Sequence, residues 1–175
     1  MISQKIGKME PQNNSPRIGT ARNVARKLLT DIGINKPPVL IKIVIDYLKK
    51  TMDLSIRPWS FGEDTDGIQL TEGNKNTIGY NQSQHPHRQR FTIAHEIGHL
   101  LLGHTSGDSD FDLDSTKPEE IEANQFAAEL LMPLSMLKSD LKKGLKDISV
   151  LAKIYNVSEK ALWWRLLDCK LINKM

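Results

Sequence analysis

The sequence predicts an α+β fold, a small sheet packed with helices. Two stretches of helical apolar spacing come first, three short alternating segments follow, and only helical patterns come after them. No internal repeat interrupts that order, and 175 residues is a usual size for one compact unit.

Residues 17–32 (RIGTARNVARKLLTDI) place Val24, Leu28 and Leu29 at helical spacing, and Gly33 offers a stop. Pro37 and Pro38 open a second predicted helix, with Val39, Leu40, Ile43, Val44 and Tyr47 on one broad face. DLSIRPW at 53–59 alternates like a strand. GIQL (67–70) and NTIGYN (76–81) read as hairpin arms around TEGNK, so the small sheet is expected to be antiparallel. A long helix is predicted from about Arg88 to Leu102, with Gly103 as its stop. An acidic loop occupies 107–117. Pro118 fits the first turn of a further helix running through EEIEANQFAAELLM to Met132, ended by Pro133.

LSMLKSDLKKG reads as helix, and so do DISVLAKIY and SEKALWWRLLD, joined by NV with Ser158 as N-cap. The last pair imitates a helix-turn-helix. Its second helix offers chiefly Lys160 and Arg165 among Leu162, Trp163, Trp164, Leu166 and Leu167, which argues against direct reading of DNA bases. It is read as a packing or partner-binding motif, with Trp163 and Trp164 as anchors and Cys169 as a partly buried apolar residue. The expected organisation is a polar tail at 1–16, a main domain at 17–135, and a helical extension at 136–175 packed on it.

Composition narrows the classes. Hydrophobic residues make up 39% and charged residues 26%, as in soluble globular proteins, and a net charge of +3 gives no strong push toward nucleic acid or anionic membranes. The single cysteine excludes an intramolecular disulfide and a cysteine-rich zinc site. The N-terminus has no apolar signal-peptide core, and VLIKIVIDYL at 39–48 is too short to span a bilayer. A reducing cytoplasm is the expected location.

The chemistry concentrates in FTIAHEIGHLLLGH at 91–104. On a helix, residues four apart lie within about 40° of one another, so His95 and His99 share a face and can bind one ion. In H-E-x-x-H the intervening glutamate, Glu96 here, is not a ligand but the base that takes a proton from the attacking water. Two satisfied histidines on a core helix is the bland alternative. The apolar residues Ile93, Ile97, Leu100, Leu101 and Leu102 favour the metal site, because a dry wall strengthens its electrostatics. Gly98, costly inside a helix, implies that another backbone passes close by.

A third ligand must come from elsewhere. His104 has the wrong spacing for HExxHxxGxxH, and a continued helix would point it about 180° from His95. It is read instead as a loop histidine near the pocket or one favoured by the helix C-terminus. His85 and His87 read as surface residues. The better source is 118–133, whose acids include Glu119, Glu120, Glu122 and Glu129. Two of the three clustered acids are expected to form a solvated first turn, and one to reach the metal.

RQRFTIAHEIGHLLLGH followed by E-x-E-A-N-x-F-A-A-x-L-L-M-P resembles the ImmA/IrrE family of metallopeptidase-like proteins, with GINKPPV at 33–39 also in keeping. The resemblance implies a zincin-like metallopeptidase domain in which the glutamate four residues before the asparagine, Glu120, completes a Zn2+ site with His95 and His99. Glu122 is the fallback ligand or the support of a histidine. It also implies a role: a zinc-dependent endopeptidase that cleaves or inactivates a cytosolic helix-turn-helix (XRE-type) repressor, in mobile-element or stress regulation. The alternative is a metal-containing antirepressor that works by protein–protein binding with little proteolysis. Glu96 is then the expected catalytic residue. His104, Tyr80 or Arg90 are candidate oxyanion donors, and the hairpin edge a candidate seat for an extended substrate. The same ligands would accept manganese or iron.

Overall fold

The structure, a computed structural model, describes residues 15–60, 65–104 and 116–173. Residues 1–14 of the expected 1–16 tail and 107–115 of the acidic loop lie outside the described residues.

Helix α1 (Ile18–Ile32) buries Ala21, Ala25, Leu28 and Leu29, a three-to-four-residue repeat that puts one stripe against the core. Gly33 ends it at φ 83°, and its N–H bonds the carbonyls of Leu29 and Thr30. A left-handed residue closes this turn, and glycine enters that region without a Cβ clash. Helix α2 (Ile41–Leu48) opens at Ile41 rather than at the prolines. Leu40 is the extended N-cap residue, and the Val39 carbonyl before it accepts from the guanidinium of Arg90.

Three strands follow: β1 (Asp53–Trp59), β2 (Gly67–Glu72) and β3 (Lys75–Asn81). Strands β2 and β3 form the expected antiparallel hairpin, with Glu72 opposite Lys75. The sheet is not wholly antiparallel, however. Its order is β1-β3-β2, and β1 runs parallel to β3, with Asp53 opposite Lys75. Strand β3 buries Ile78, Gly79 and Asn81 and takes the middle, which leaves β2 at an edge. Alternation reveals a strand's two faces but not its neighbours, so only the hairpin pairing followed from sequence.

Helices α3 (Pro86–Leu102) and α4 (Pro118–Leu131) each begin with proline in the first turn, where its missing N–H leaves no bond unmade. Helix α3 packs against β2 and β3 and against α1, α2 and α4, while α1 also lies along α4. Helices α5 (Leu134–Lys142), α6 (Ile148–Tyr155) and α7 (Glu159–Asp168) complete the chain. Ser158 caps α7, its hydroxyl accepting from Ala161 N–H at 3.1 Å. Leu162, Arg165 and Leu166 are the buried residues of α7. Trp164 is about half exposed and stacks edge-on with Trp163 at 4.9 Å, so Trp164 is not the anchor the sequence suggested. Cys169 is partly buried, as expected. Among the described residues no helix is long and apolar enough to cross a membrane.

Candidate metal centre

Residues His95, Glu96 and His99 all sit on α3 and are buried, with His95 and Glu96 fully so. Gly98 explains how α4 comes so near. A Cβ there would meet the Phe126 ring at 3.0 Å and the Ala123 Cα at 3.3 Å. The close approach expected from this glycine therefore exists, and α4 is the partner.

That approach carries Glu120 to the two histidines. The Nε2 atoms of His95 and His99 are 2.9 Å apart, and the Glu120 oxygens lie 3.2 Å and 3.3 Å from them. These three side chains form a buried group whose ligand atoms all fall within 4.8 Å of one another and that can hold a metal ion. Of the three clustered acids, Glu119 is exposed, whereas Glu120 and Glu122 are both buried. The expectation of two solvated acids is met only at Glu119.

The proton positions test whether the group suits a cation. His95 Nδ1 lies 2.9 Å from the Asn124 side-chain oxygen. An amide oxygen only accepts, so Nδ1 carries the proton and Nε2 presents a lone pair. His99 is held by a longer chain: its Nδ1 is 2.9 Å from Nδ1 of His104, whose Nε2 is 3.1 Å from Glu122 Oε2. The carboxylate only accepts, so His104 donates from Nε2 and accepts at Nδ1, and His99 donates from Nδ1. Both Nε2 lone pairs then converge on Glu120, whose Oε2 is buried and finds no hydrogen-bond donor among the described residues. Three lone-pair donors converging in a dry site repel one another unless a proton or a cation lies among them. Protons would create imidazolium in a fully buried place. A tetrahedral zinc with nitrogens at about 2.0–2.1 Å holds two ligands roughly 3.3 Å apart, close to the spacing here. The residues fit a divalent cation.

Burial pushes the Glu120 carboxyl up, and positive charge on the facing nitrogens pulls it back to about 2, a charge that a cation supplies where both Nε2 atoms carry lone pairs. Burial raises Glu122 as well, while Arg17 and His104 keep it at about 2. Arg17 donates to Glu122 three times, from its backbone N–H at 2.7 Å and from Nε and Nη2 at 3.0 Å and 2.8 Å. Burial is also the main reason His104 titrates below its ordinary value.

These contacts correct the placing of Arg90, whereas His104 is a histidine near the pocket, as expected. Arg90 does not face the site: its guanidinium donates to the carbonyls of Tyr155, Asn156 and Val39, and burial lowers it to about 10. It ties α3 to the end of α6 and the approach to α2. His104 turns back beneath the site because Gly103 ends α3 in a left-handed turn at φ 71°, so the chain does not continue as helix. Tyr80 lies opposite Gly67 in the hairpin register. His85 caps α3 through a hydrogen bond from His87 N–H, at the surface as expected.

The sequence reading missed Gly67, Asn124 and Arg17. A Cβ on Gly67 would overlap the Thr92 methyl and sit 3.1 Å from Glu96 Oε1, so the start of β2 presses directly against the α3 carboxylate. Asn124 follows Glu120 by one helical turn, and that spacing was the available clue to its contact with His95. Nothing in the sequence marked Arg17.

A buried His-His-Glu group on two packed helices, with the further carboxylate of Glu96 on α3 and α3 itself packed on a small mixed sheet, is an arrangement that can hold a metal ion. The chain belongs to the ImmA/IrrE family: residues 51–167 match the IrrE N-terminal-like domain family (Peptidase_M78). It is 40% identical over 103 residues to the radiation response metalloprotease IrrE of Deinococcus radiodurans, covering 53% of this chain and 31% of that protein. It is 29% identical over 90 residues to uncharacterized immunity region protein 2 of Bacillus phage phi105, covering 49% of this chain and 56% of the other. The fold is similar to that of a Mycobacterium tuberculosis transcriptional regulator, with a TM-score of 0.58 at 18% identity over 85% of this chain and 46% of that one. The chain thus spans between about a third and a little over half of the length of these proteins.

Proposed function

We propose that the protein is a zinc-dependent endopeptidase with a zincin-like fold that acts on a helix-turn-helix (XRE-type) repressor in the cytoplasm. The observation that carries the reading is the convergence of His95, His99 and Glu120 next to Glu96, in a chain of a peptidase family. His95, His99 and Glu120 would hold the ion. When bound, zinc supplies Lewis-acid chemistry, polarising a carbonyl and acidifying water.

The remaining work falls to this chain. Glu96, kept dry by its burial on α3, takes a proton from the attacking water and returns it to the leaving amine. Asn124 and His104 fix the two imidazoles so that the lone pairs face inward. Strand β2 lies at the sheet edge and starts beside Glu96, so an extended peptide added along it passes the base. The main domain spans 17–135, and 136–175 serves as a packed extension, consistent with the hydrogen bonds from Arg165 to Glu129 and Met132.

The test is Glu96→Gln, scored by bound zinc and by the intact mass of a candidate repressor encoded by a neighbouring gene. The expected result is zinc retained and cleavage reduced by about 10²–10⁴-fold. Zinc retained with full cleavage removes Glu96 from its role. A repressor of unchanged mass, held in a stable complex by the unaltered protein, would favour an antirepressor that works by binding.

A further inference from the structure

The metal reading uses His95, His99, Glu120 and Glu96, and leaves three charged or titratable groups beneath the site. His104, Glu122 and Arg17 come from the end of α3, from α4 and from the residue that precedes α1. The Arg17 side chain is largely exposed, but the Glu122 carboxylate it grips is almost fully buried, as is the His104 ring. Each link is within hydrogen-bond range, from Arg17 to Glu122 at 2.8 Å, to His104 at 3.1 Å, to His99 at 2.9 Å.

Resting on the metal reading above, we infer that Arg17, Glu122 and His104 are positioning residues: a hydrogen-bonded chain that fixes the His99 ring with its Nε2 lone pair toward the ion. Glu122 is therefore not a ligand. Its two oxygens are engaged by Arg17 and by His104. The chain has a direction, because its outer end is a cation that only donates and its middle a carboxylate that only accepts. That fixes the proton of His104 on Nε2 and obliges His99 to donate from Nδ1. His95 reaches the same state by a shorter route through Asn124. The two ligands thus differ: one is set by an uncharged amide on α4, the other by a charged chain that ends at Arg17, just before α1. Arg17 lies outside the segment matched to the family, 51–167, so this support is a contribution of the N-terminal part.

The experiment measures zinc affinity of the full chain by chelator competition for His104→Leu, His104→Gln and Arg17→Ala. A supporting ligand of this kind is worth about 10–100-fold in metal affinity, and that is the loss expected for His104→Leu. His104→Gln should recover most of it, since an amide oxygen accepts from His99 and the amide nitrogen donates to Glu122. Arg17→Ala, which keeps the backbone N–H bond to Glu122, should lose less than His104→Leu. In parallel, long-range nitrogen-15 spectra of the unaltered zinc-loaded chain should show His99 coordinating through Nε2 with a protonated Nδ1. That measurement stands even where a variant fails to fold. Zinc bound equally by the unaltered chain and by His104→Leu, or glutamine no better than leucine, would overturn the chain's role while leaving the metal site in place. His99 coordinating through Nδ1 would overturn it too. An unaltered protein that binds no zinc would overturn the metal reading itself.

Discussion

Helix α4 carries two buried carboxylates that live in opposite surroundings. Near its C-terminal end, Glu129 has every acceptor used: Arg26 at 2.8 Å, the Arg165 guanidinium, and the Leu134 N–H at 3.3 Å. Near its start, Glu120 is also buried but faces two imidazole nitrogens whose other sides already donate elsewhere. The first is a completed ion-pair network that joins α1, α4 and α7. The second is a set of lone-pair donors suited to a cation. A buried acid becomes informative about function when its partners are counted along with their protons.

The comparison can be broken most forcefully by neutralising each acid in the zinc-free protein. Glu129→Ala takes from the buried Arg165 its nearest counter-charge, leaving it only the Asp168 carboxylate at 3.6 Å, and breaking a buried pair typically costs about 3–5 kcal/mol in urea unfolding. Glu120→Gln should cost little without zinc, because it relieves the crowding of lone pairs. Equal losses at the two positions would erase the distinction. Acid unfolding adds a second view. Burial pushes the Glu129 carboxyl up, but Arg26 and Arg165 outweigh it, so it titrates below its ordinary 4.5. Its stabilising contribution is then complete above the unfolded value and is lost as pH falls through the folded one. Glu129→Gln should therefore flatten the acid limb of the stability curve, and an unchanged limb would contradict the pairing.

Smaller effects sharpen the picture. Gly67→Ala forces a methyl into Thr92 and against Glu96, an overpacking that costs about 1–3 kcal/mol and should lower kcat by shifting the base. Stability and kcat both unaltered would mean that β2 has room to move. Arg26→Ala should cost only about 1 kcal/mol, since this arginine is half exposed and Arg165 still holds Glu129. A loss as large as that of Glu129→Ala would show that the two arginines are not redundant.

Much of this was legible in the sequence, and particular residues show where legibility stopped. HEIGH, Pro118, Gly33, Gly103 and Ser158 are local signals, each acting within a turn or two, and they mark α3, α4 and the ends of α1, α3 and α6–α7. Gly98 even announced the close approach of another backbone, which proves to be that of α4. Strand order was not readable, because the parallel pairing of β1 with β3 is decided by which strand buries both faces. The chain from Arg17 to His99 was not readable either. It links residues 105 positions apart in sequence, at Arg17 and Glu122, and no periodicity encodes such a contact. Arg90 misled for the same reason: its place beside HEIGH suggested chemistry, while its bonds to three distant carbonyls make it a structural tie.

Zinc content per chain, measured by elemental analysis on the purified protein and on Glu120→Gln, goes straight to the heart of this account. One firmly held equivalent in the former, with affinity falling by well over the roughly 10–100-fold of a supporting residue in the latter, is the predicted result. A protein that carries no divalent ion, or a variant that holds it just as tightly, would contradict it.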